Sequence, residues 1–281
     1  MTAAGAAFLK AKPVWREGDS DPRHQVLGLT LALPEGEALL RIACSTCFRA
    51  WVDGEMIAFG PAQSAHGHFR IDEWPLPQGK ILAIEVVSYG ANGYSAAKAP
   101  GFVCAEVLVN GRAVNWTGAT GGGVKACDVP GRIRKCTRYS FQRPWSEGYR
   151  LLPGFDAWRT GGAPTLKLTE AASGVFLPRR SSLPKLTVRQ IRGWVAEGAW
   201  TPNPEAKAWK DRSVVNIGPQ LIGYPENELE MAPALELQKF TATHKRVLAQ
   251  QDHQPRLKAG QSVTADFGTN LTGFIGVQVE C

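Results

Sequence analysis

The chain has 281 residues, of which 44% are hydrophobic and 20% are charged, and its formal net charge is +7 at neutral pH. This composition permits a large buried core and excludes a chain that is disordered throughout. The 30 glycines, 19 prolines and nine tryptophans favour many turns and short strands over long helices.

The amino terminus, MTAAGAAFLKAKPVW, has no apolar stretch long enough for a signal peptide. No segment reaches the roughly 18 apolar residues that a membrane-spanning helix requires. We therefore expect a soluble, cytoplasmic protein without a membrane partner. Because disulfides are rare in that compartment, we expect the six cysteines to be thiols.

Two predicted strands in LRIACSTCFRAWVDGEMIAFG, residues 40–60, are joined at Asp53-Gly54. Asp-Gly suits a type I′ turn, since both central positions of that turn have positive φ. Cys44 and Cys47 form a CxxC sequence within the first strand, where residues three apart point to opposite faces. No second CxxC or histidine pair completes a zinc site. We interpret both cysteines as small packing residues and expect no metal site.

His66 and His68 share one face of the next predicted strand, in SAHGHFRIDEW. Two histidines alone rarely complete a metal site, so we interpret them as part of a solvated loop. The run KILAIEVVSYG, residues 80–90, is rich in β-branched residues and ends in glycine, as is typical of a central strand. In AEVLVNGRAVNW, residues 105–116, Asn-Gly repeats the hairpin signal.

Neither the glycine-rich nor the basic segments indicate a nucleotide or nucleic-acid site. The loop at Gly121-Gly122-Gly123 lacks the Lys-Ser/Thr of a phosphate-binding loop. The basic groups are short, which favours an ordinary solvated surface over a nucleic-acid partner. The densest of them are Arg132, Arg134, Lys135 and Arg138, and then Arg179, Arg180 and Lys185.

The densest chemical cluster is RYSFQRPWSEGYRLLPGFDAW, residues 138–158. Aromatic faces stack on sugar rings, and neighbouring charged groups can bond to sugar hydroxyls. On this chemistry, the candidate substrate-binding residues are Arg143, Trp145, Glu147, Tyr149 and Trp158. The same residue types also describe an amphipathic seam between domains, in which aromatic groups are buried and charges pair at the edge. Both interpretations stay open.

A shift in composition between residues 160 and 185 predicts two domains, a β-sandwich over residues 1–162 and a second β-rich domain over residues 163–281. Residues 188–200 and 226–250 fit a strand almost as well as a helix. Alternation returns between residues 263 and 279 and predicts a strand pair. We therefore predict an all-β chain, in which an antiparallel, jelly-roll-like β-sandwich is followed by a second β-sandwich-type domain, with few short helices.

Asp266-Phe267-Gly268 spells the tripeptide that holds magnesium in protein kinases. A kinase also needs a glycine-rich loop, a strand lysine and a His-Arg-Asp loop, and this sequence has none of them. It has no Gly-x-Ser-x-Gly nucleophile sequence either. We interpret the tripeptide as the entry to a hairpin turn and expect no cofactor.

Four segments form an ordered set along the chain: AWVDGEMIAFGPAQSAHGHFRIDEW, PGFVCAEVLVNGRAVNWT, RYSFQRPWSEGYRL and DFGTNLTGFIGVQVE. They comprise a hairpin with its Gly-Pro, the following strands, a segment that leads out of them, and a final strand pair. Taken in this order, they resemble the N-terminal β-sandwich region of bacterial α-L-rhamnosidase-like proteins, glycoside hydrolase family 78. The resemblance runs from about residue 25 to residue 281.

The resemblance implies an accessory, carbohydrate-associated region that is non-catalytic by itself. The family's catalytic carboxylates lie in an (α/α)6 barrel that follows these β-domains. This chain stops at Cys281, before any such barrel, so the resemblance implies a truncated form in which no residue can be assigned as catalytic.

The implied partners are rhamnosides or related glycans, together with either the missing barrel or a second copy of the chain. We expect an exposed apolar surface for that contact, with Trp145, Trp158, Trp194 and Trp200 as its candidates. The alternatives are a freestanding, lectin-like carbohydrate-binding module and a structural or nucleic-acid interaction protein.

Overall fold

The structure, a computed structural model, describes residues 7–93, 96–138, 145–162, 165–205, 223–231, 240–250 and 254–277. Strands dominate these residues, and the helical elements among them are two short 3₁₀ turns, Ala157–Thr160 and Glu226–Glu228. The prediction of an all-β fold with few short helices is confirmed. The strands are β1 (Val14–Arg16), β2 (Gln25–Ala32), β3 (Ala38–Cys44), β4 (Cys47–Val52), β5 (Glu55–Gly60), β6 (His68–Leu76), β7 (Ile81–Ser88), β8 (Val103–Val109), β9 (Arg112–Trp116), β10 (Lys125–Cys127), β11 (Leu168–Glu170), β12 (Val175–Pro178), β13 (Gly193–Pro202), β14 (Phe240–Gln250) and β15 (Gln261–Asp266).

The chain divides into two compact units, of which the first, Met1–Leu186 with Lys210–Ala232, contains two sheets. The larger sheet has the order β11-β1-β8-β3-β6-β12, and β9 also pairs with β8. In this sheet β12 runs parallel to β6, and the other pairings are antiparallel. The smaller sheet has the antiparallel order β10-β2-β7-β4-β5. Consecutive strands such as β2, β3 and β4 therefore alternate between the sheets.

Alternating apolar residues of the two sheets meet in one core. Leu27 and Leu29 of β2 and Ile84 of β7 belong to the same buried cluster as Leu40 and Ile42 of β3. All five side chains are fully buried, and each such burial contributes about 1.5–3 kcal/mol. The two sheets thus form a β-sandwich.

The smaller sheet is also covered on its other face. Val26, Ala83 and Val87 pack there with Trp51 and with Trp158, which lies in the first 3₁₀ turn. The rings of Trp51 and Trp158 meet edge to face, with centroids 5.9 Å apart. Because both faces are covered, the whole of β7 after its first residue is buried. The prediction of a central strand over residues 80–90 is confirmed.

Both predicted hairpin turns are present. Asp53 and Gly54 have φ values of 48° and 91°, and Asn110 and Gly111 have values of 49° and 73°. The CxxC sequence, however, does not lie within one strand. Cys44 ends β3 in the larger sheet and Cys47 begins β4 in the smaller sheet. The prediction of a single strand here is wrong because the chain turns a corner at residues 45–46 to pass between the sheets.

The second unit, Thr187–Trp209 with Pro233–Cys281, contains one three-stranded antiparallel sheet of order β14-β13-β15. Within the ambiguous segments 188–200 and 226–250, residues 193–200 and 240–250 therefore belong to strands. Of the predicted terminal strand pair, β15 forms and residues 267–277 contain no strand, while residues 278–281 lie outside the described residues. Ile275 and Val277 are 89% and 77% exposed, and alternating apolar residues form a strand only where a neighbouring strand can pair with them.

The predicted domain boundary after residue 162 stays a prediction. β11 and β12 follow that position and pair with β1 and β6 of the sandwich, and the first compact unit extends to Leu186. None of the described residues belongs to a helix long and apolar enough to cross a membrane.

Candidate functional site

Charged side chains meet on the outer face of the smaller sheet, and we call them the charge cluster: Arg49, Glu85, Arg132, Glu147 and Tyr149. Glu85 of β7 lies opposite Arg49 of β4 in the antiparallel register, and Arg49 Nη2 donates to Glu85 Oε1 at 2.8 Å. Arg132 Nη1 lies 3.3 Å from the same oxygen and donates to Tyr149 Oη at 2.8 Å. Both guanidinium groups also reach Glu147 Oε1, at 2.8 and 3.1 Å. Two positive charges thus balance two negative charges.

The charge cluster holds fixed protonation states. Burial alone would lower the pKa of Arg49 and Arg132, but the charge of Glu85 and its neighbours outweighs burial and raises the pKa of both. Burial alone would raise the pKa of Glu147, but the two arginines lower it. Burial raises the pKa of Tyr149 to about 12. At neutral pH the cluster is therefore suited to binding and positioning rather than to proton transfer.

Trp145 lies beside the charge cluster, where it stacks on His24. The two ring centroids are 5.6 Å apart and the ring planes differ by 4°, while Trp145 Nε1 donates to the Tyr89 carbonyl oxygen at 2.9 Å. His24 Nδ1 lies 2.7 Å from the carbonyl oxygen of Arg134. Burial, assisted by the charge of Arg132, lowers the pKa of His24 to about 3. The neutral imidazole therefore donates from Nδ1 to that carbonyl.

The five predicted substrate-binding residues do not form one exposed surface in the structure. Arg143 lies outside the described residues. Trp145 and Trp158 are 6% and 2% exposed, so the expectation that they lie on an exposed apolar surface is wrong. The Trp158 ring belongs to the small core that covers the smaller sheet, and the Trp145 ring belongs to a separate small core with Ile133 and Cys136. Glu147 is exposed and Tyr149 is half-buried, and the role of the set in substrate binding stays a prediction.

A cleft of about 950 Å³ opens in the first unit beside the start of β6, and we call it the β6 cleft. Small-molecule sites commonly have volumes of roughly 300–1,000 Å³, so the β6 cleft has room for an oligosaccharide fragment. Its walls come from the corner between β3 and β4, the link from β5 to β6, the loop after β7, and the residues that flank β12. The lining residues used below are Cys44, Cys47, Phe59, Gln63, Ser64, Ala65, His66, His68, Phe69, Arg70, Tyr89, Asn92, Lys98, Phe102, Ser173 and Arg179.

The described residues that line the β6 cleft include no aspartate or glutamate. Its cationic side chains are Arg70, Lys98 and Arg179. Arg179 Nη1 donates to Oδ2 of the buried Asp72 at 2.6 Å, and its other nitrogens donate to backbone carbonyls. Arg70 Nη1 donates to the Pro178 carbonyl at 2.9 Å, and the residue is half-buried. The lining thus carries more positive than negative charge.

Cys47 and Tyr89 line the β6 cleft and also lie near the charge cluster, since the charge of Arg132 acts on the pKa of both. Burial raises the pKa of Cys47 to about 11, raises that of Cys44 well above its ordinary value, and raises that of Tyr89. A thiolate is the nucleophilic form of cysteine. These thiols are therefore poor nucleophiles at neutral pH and act as packing groups in the cleft wall.

His66 and His68 are exposed and line the rim of the β6 cleft. His66 lies in a loop, as the interpretation of a solvated loop expects, but His68 is the first residue of β6. The sequence reasoning missed this location because the cleft depends on loops far apart in the chain. Two residues of the basic clusters differ from the solvated surface that the sequence predicted. Arg132 is buried and Arg179 is paired with Asp72, so the interpretation as an ordinary solvated surface is wrong for these two. A guanidinium group that loses contact with water needs a carboxylate partner, and the buried Arg132 and the half-buried Arg179 both have one.

Comparison with solved structures shows a likeness of fold to a GH78 family rhamnosidase of Bacillus sp. GL1, with a TM-score of 0.52 and 19% identity over 69% of this chain and 23% of that chain. The α-L-rhamnosidase from Dictyoglumus thermophilum gives a TM-score of 0.40 and 14% identity, over 70% and 27% of the two chains. The lectin from Pleurotus ostreatus in complex with GalNAc gives a TM-score of 0.34 and 15% identity, over 73% of this chain and 61% of that chain.

No protein-family model matches the chain, and no curated protein matches it. The chain spans 23% and 27% of the length of the two rhamnosidases. The first likeness shows a shared fold, and the resemblance inferred from the sequence is confirmed at that level.

Proposed function

We propose that the chain is a carbohydrate-associated β-sandwich region of an α-L-rhamnosidase-like glycoside hydrolase, that it binds glycan in the β6 cleft, and that it is non-catalytic by itself. The observation that carries this proposal is the fold shared with the GH78 rhamnosidase over 69% of this chain. The four ordered sequence segments support the same assignment. The substrate class comes from the rhamnosidase-like resemblance, and the location comes from the volume and lining of the cleft.

The lining of the β6 cleft suits a sugar. Phe59 and Phe69 supply aromatic surface, and the Phe69 ring is held edge to face against Phe102 with centroids 4.6 Å apart. Ser64 and Asn92 supply polar groups that can exchange hydrogen bonds with hydroxyls. A mainly apolar wall with a few placed polar groups is the common composition of a small-molecule site.

The same lining supports binding without hydrolysis. Most inverting glycosidases use two carboxyl groups roughly 6.5–9.5 Å apart, one as acid and one as base. Among the described residues that line the β6 cleft there is no carboxylate. The nearby Asp72 is buried and paired with Arg179, and Glu85 is buried in the charge cluster. A bound glycoside would therefore meet no described acid–base pair.

Isothermal titration calorimetry against L-rhamnose and oligosaccharides that contain it tests the proposal. We expect saturable binding by the intact chain, and we expect Ala65→Trp to weaken it, because Ala65 is an exposed lining residue and a larger side chain there takes up part of the cleft. Ala199→Trp is the matched control, since Ala199 is an exposed residue of β13 in the second unit. Absence of binding to every rhamnoside, or equal loss in both variants, contradicts a glycan site in the β6 cleft.

The alternative of a freestanding, lectin-like module gains support from one observation. Trp145 and Trp158 are buried within the first unit, so that unit does not use them to contact a further domain. The two candidates differ in selectivity. A rhamnosidase-like region predicts a preference for L-rhamnosides over D-galactosides in the same titration, and a preference for D-galactosides favours the lectin-like module.

A further inference from the structure

The positive charges of the β6 cleft are not all compensated. Arg179 is committed, since Nη1 donates to Asp72 and Nε and Nη2 donate to the carbonyls of Ser181 and Ser182, both at 3.0 Å. Arg70 contacts a neutral carbonyl, that of Pro178. No carboxylate of the described residues pairs with Arg70 or Lys98, and the Lys98 side chain is exposed. Two cations therefore remain available to a ligand.

Three carboxylates of β6 and β7, the strands that lead to or from this wall, are already paired and do not compensate these cations. Asp72 is fully buried and held by Arg179, and Glu73 bonds to Arg41 at 3.0 Å. Glu85 has no exposed surface and is held by Arg49 and Arg132. A concave wall that carries one sign of charge beside a low-dielectric interior concentrates counter-ions and anionic ligands.

We propose that the β6 cleft selects acidic saccharides, in which the carboxylate of a uronic acid lies against Arg70 and Lys98, over their neutral counterparts. This inference rests on the proposed function, because it assigns a ligand class to the same cleft. Phe69 and the polar side chains would bind the sugar ring, and the two cations would bind the carboxylate. Arg70 retains the nitrogens Nε and Nη2 for that contact, and a guanidinium fork matches the geometry of a carboxylate.

Calorimetric titration with trigalacturonic acid and with its fully methyl-esterified form tests the inference, since esterification removes the negative charges and keeps the sugar rings and their linkages. We expect the acid to bind at least about tenfold more tightly, as the attraction of two lining cations in a partly solvated site would give. We also expect raising the salt concentration from about 50 to 500 mM to weaken binding of the acid and to leave the ester unchanged.

Two substitutions test whether Lys98 and Arg70 cause the preference for the acid over the ester. Lys98→Gln and Arg70→Gln should each lower the preference for the acid about threefold or more, without changing affinity for the ester. Arg112→Gln removes the same charge from the exposed start of β9, outside the lining, and should leave the preference intact. Because Arg70 also contacts Pro178, Lys98→Gln serves as the variant that disturbs no described side-chain contact.

The outcomes separate this inference from the proposed function. Equal affinity for acid and ester, or a preference that Lys98→Gln and Arg70→Gln do not reduce, overturns the acidic-saccharide inference and leaves the glycan site standing. Binding of L-rhamnosides without binding of either galacturonate also overturns the inference alone. If none of these saccharides binds, both the acidic-saccharide inference and the proposed function are overturned.

Discussion

Acid should destabilise the first unit through His24. The pKa of this imidazole is about 3 in the folded protein, because burial and the charge of Arg132 disfavour its protonated form, against an ordinary value of 6.5. The unfolded chain therefore binds more protons than the folded chain between these two pKa values. The stability that neutral His24 contributes is fully present above pH 6.5, and it is lost as the pH falls below that value toward the pKa of the folded state. At pH 5 the expected loss is about 2 kcal/mol.

Urea unfolding at pH 7.5 and pH 5.0, followed by tryptophan fluorescence, measures this loss. His24→Gln supplies an amide donor for the Arg134 carbonyl without a titrating group, so its free energy of unfolding should change little over this interval. The carboxyl group of Glu147, whose pKa is lowered, titrates below this window. His68→Gln, which removes an exposed imidazole, should keep the wild-type difference. A wild-type loss below about 0.5 kcal/mol, or an equal loss in His24→Gln, would refute this reasoning.

Three further predictions concern the structure that positions the site. Gly90→Ala should destabilise the protein by more than about 2 kcal/mol, because a Cβ at this positive φ of 57° would lie 1.8 Å from the Pro22 carbonyl oxygen. Gly121→Ala is the control, because the added Cβ meets nothing within 4 Å, and it should cost about 1 kcal/mol. If urea unfolding gives the two variants equal losses of stability, the close approach of residue 90 to the Pro22 carbonyl oxygen is not the cause. Glu85→Gln should lower stability by about 3 kcal/mol because the buried Arg132 and the half-buried Arg49 lose a carboxylate; a neutral result in the same assay is incompatible with a tightly coupled cluster. Trp158→Ala should cost about 3–5 kcal/mol, and a thermal midpoint within 2–3 °C of the wild type would show that its ring is not part of a core.

Local signals predicted much of the sandwich. Asp53-Gly54 and Asn110-Gly111 specify their turns because few other residues accept positive φ at both positions. The run at residues 80–90 identified β7 because a strand buried on both faces is apolar throughout. These signals act over a few residues, so they can be read from the sequence alone.

Long-range arrangements could not be predicted in the same way. The pairing of Glu85 with Arg49 depends on the register of β7 and β4. A lone glutamate within ILAIEVV was a usable signal, since a buried carboxylate requires a cationic partner, but the sequence does not say which arginine supplies it. The β6 cleft joins loops separated by more than a hundred residues, from Cys44 to Arg179, and the burial of Trp145 depends on contact with His24.

The most direct test of glycan binding in the β6 cleft is a titration of the ¹⁵N-labelled chain with an L-rhamnoside, followed through backbone amide chemical shifts. The account predicts that the perturbed amides cluster at the corner of Cys44–Cys47 and in residues 59–70, which line the cleft. Perturbations confined to the surface around Glu147 and Tyr149, with none at the cleft, would contradict it.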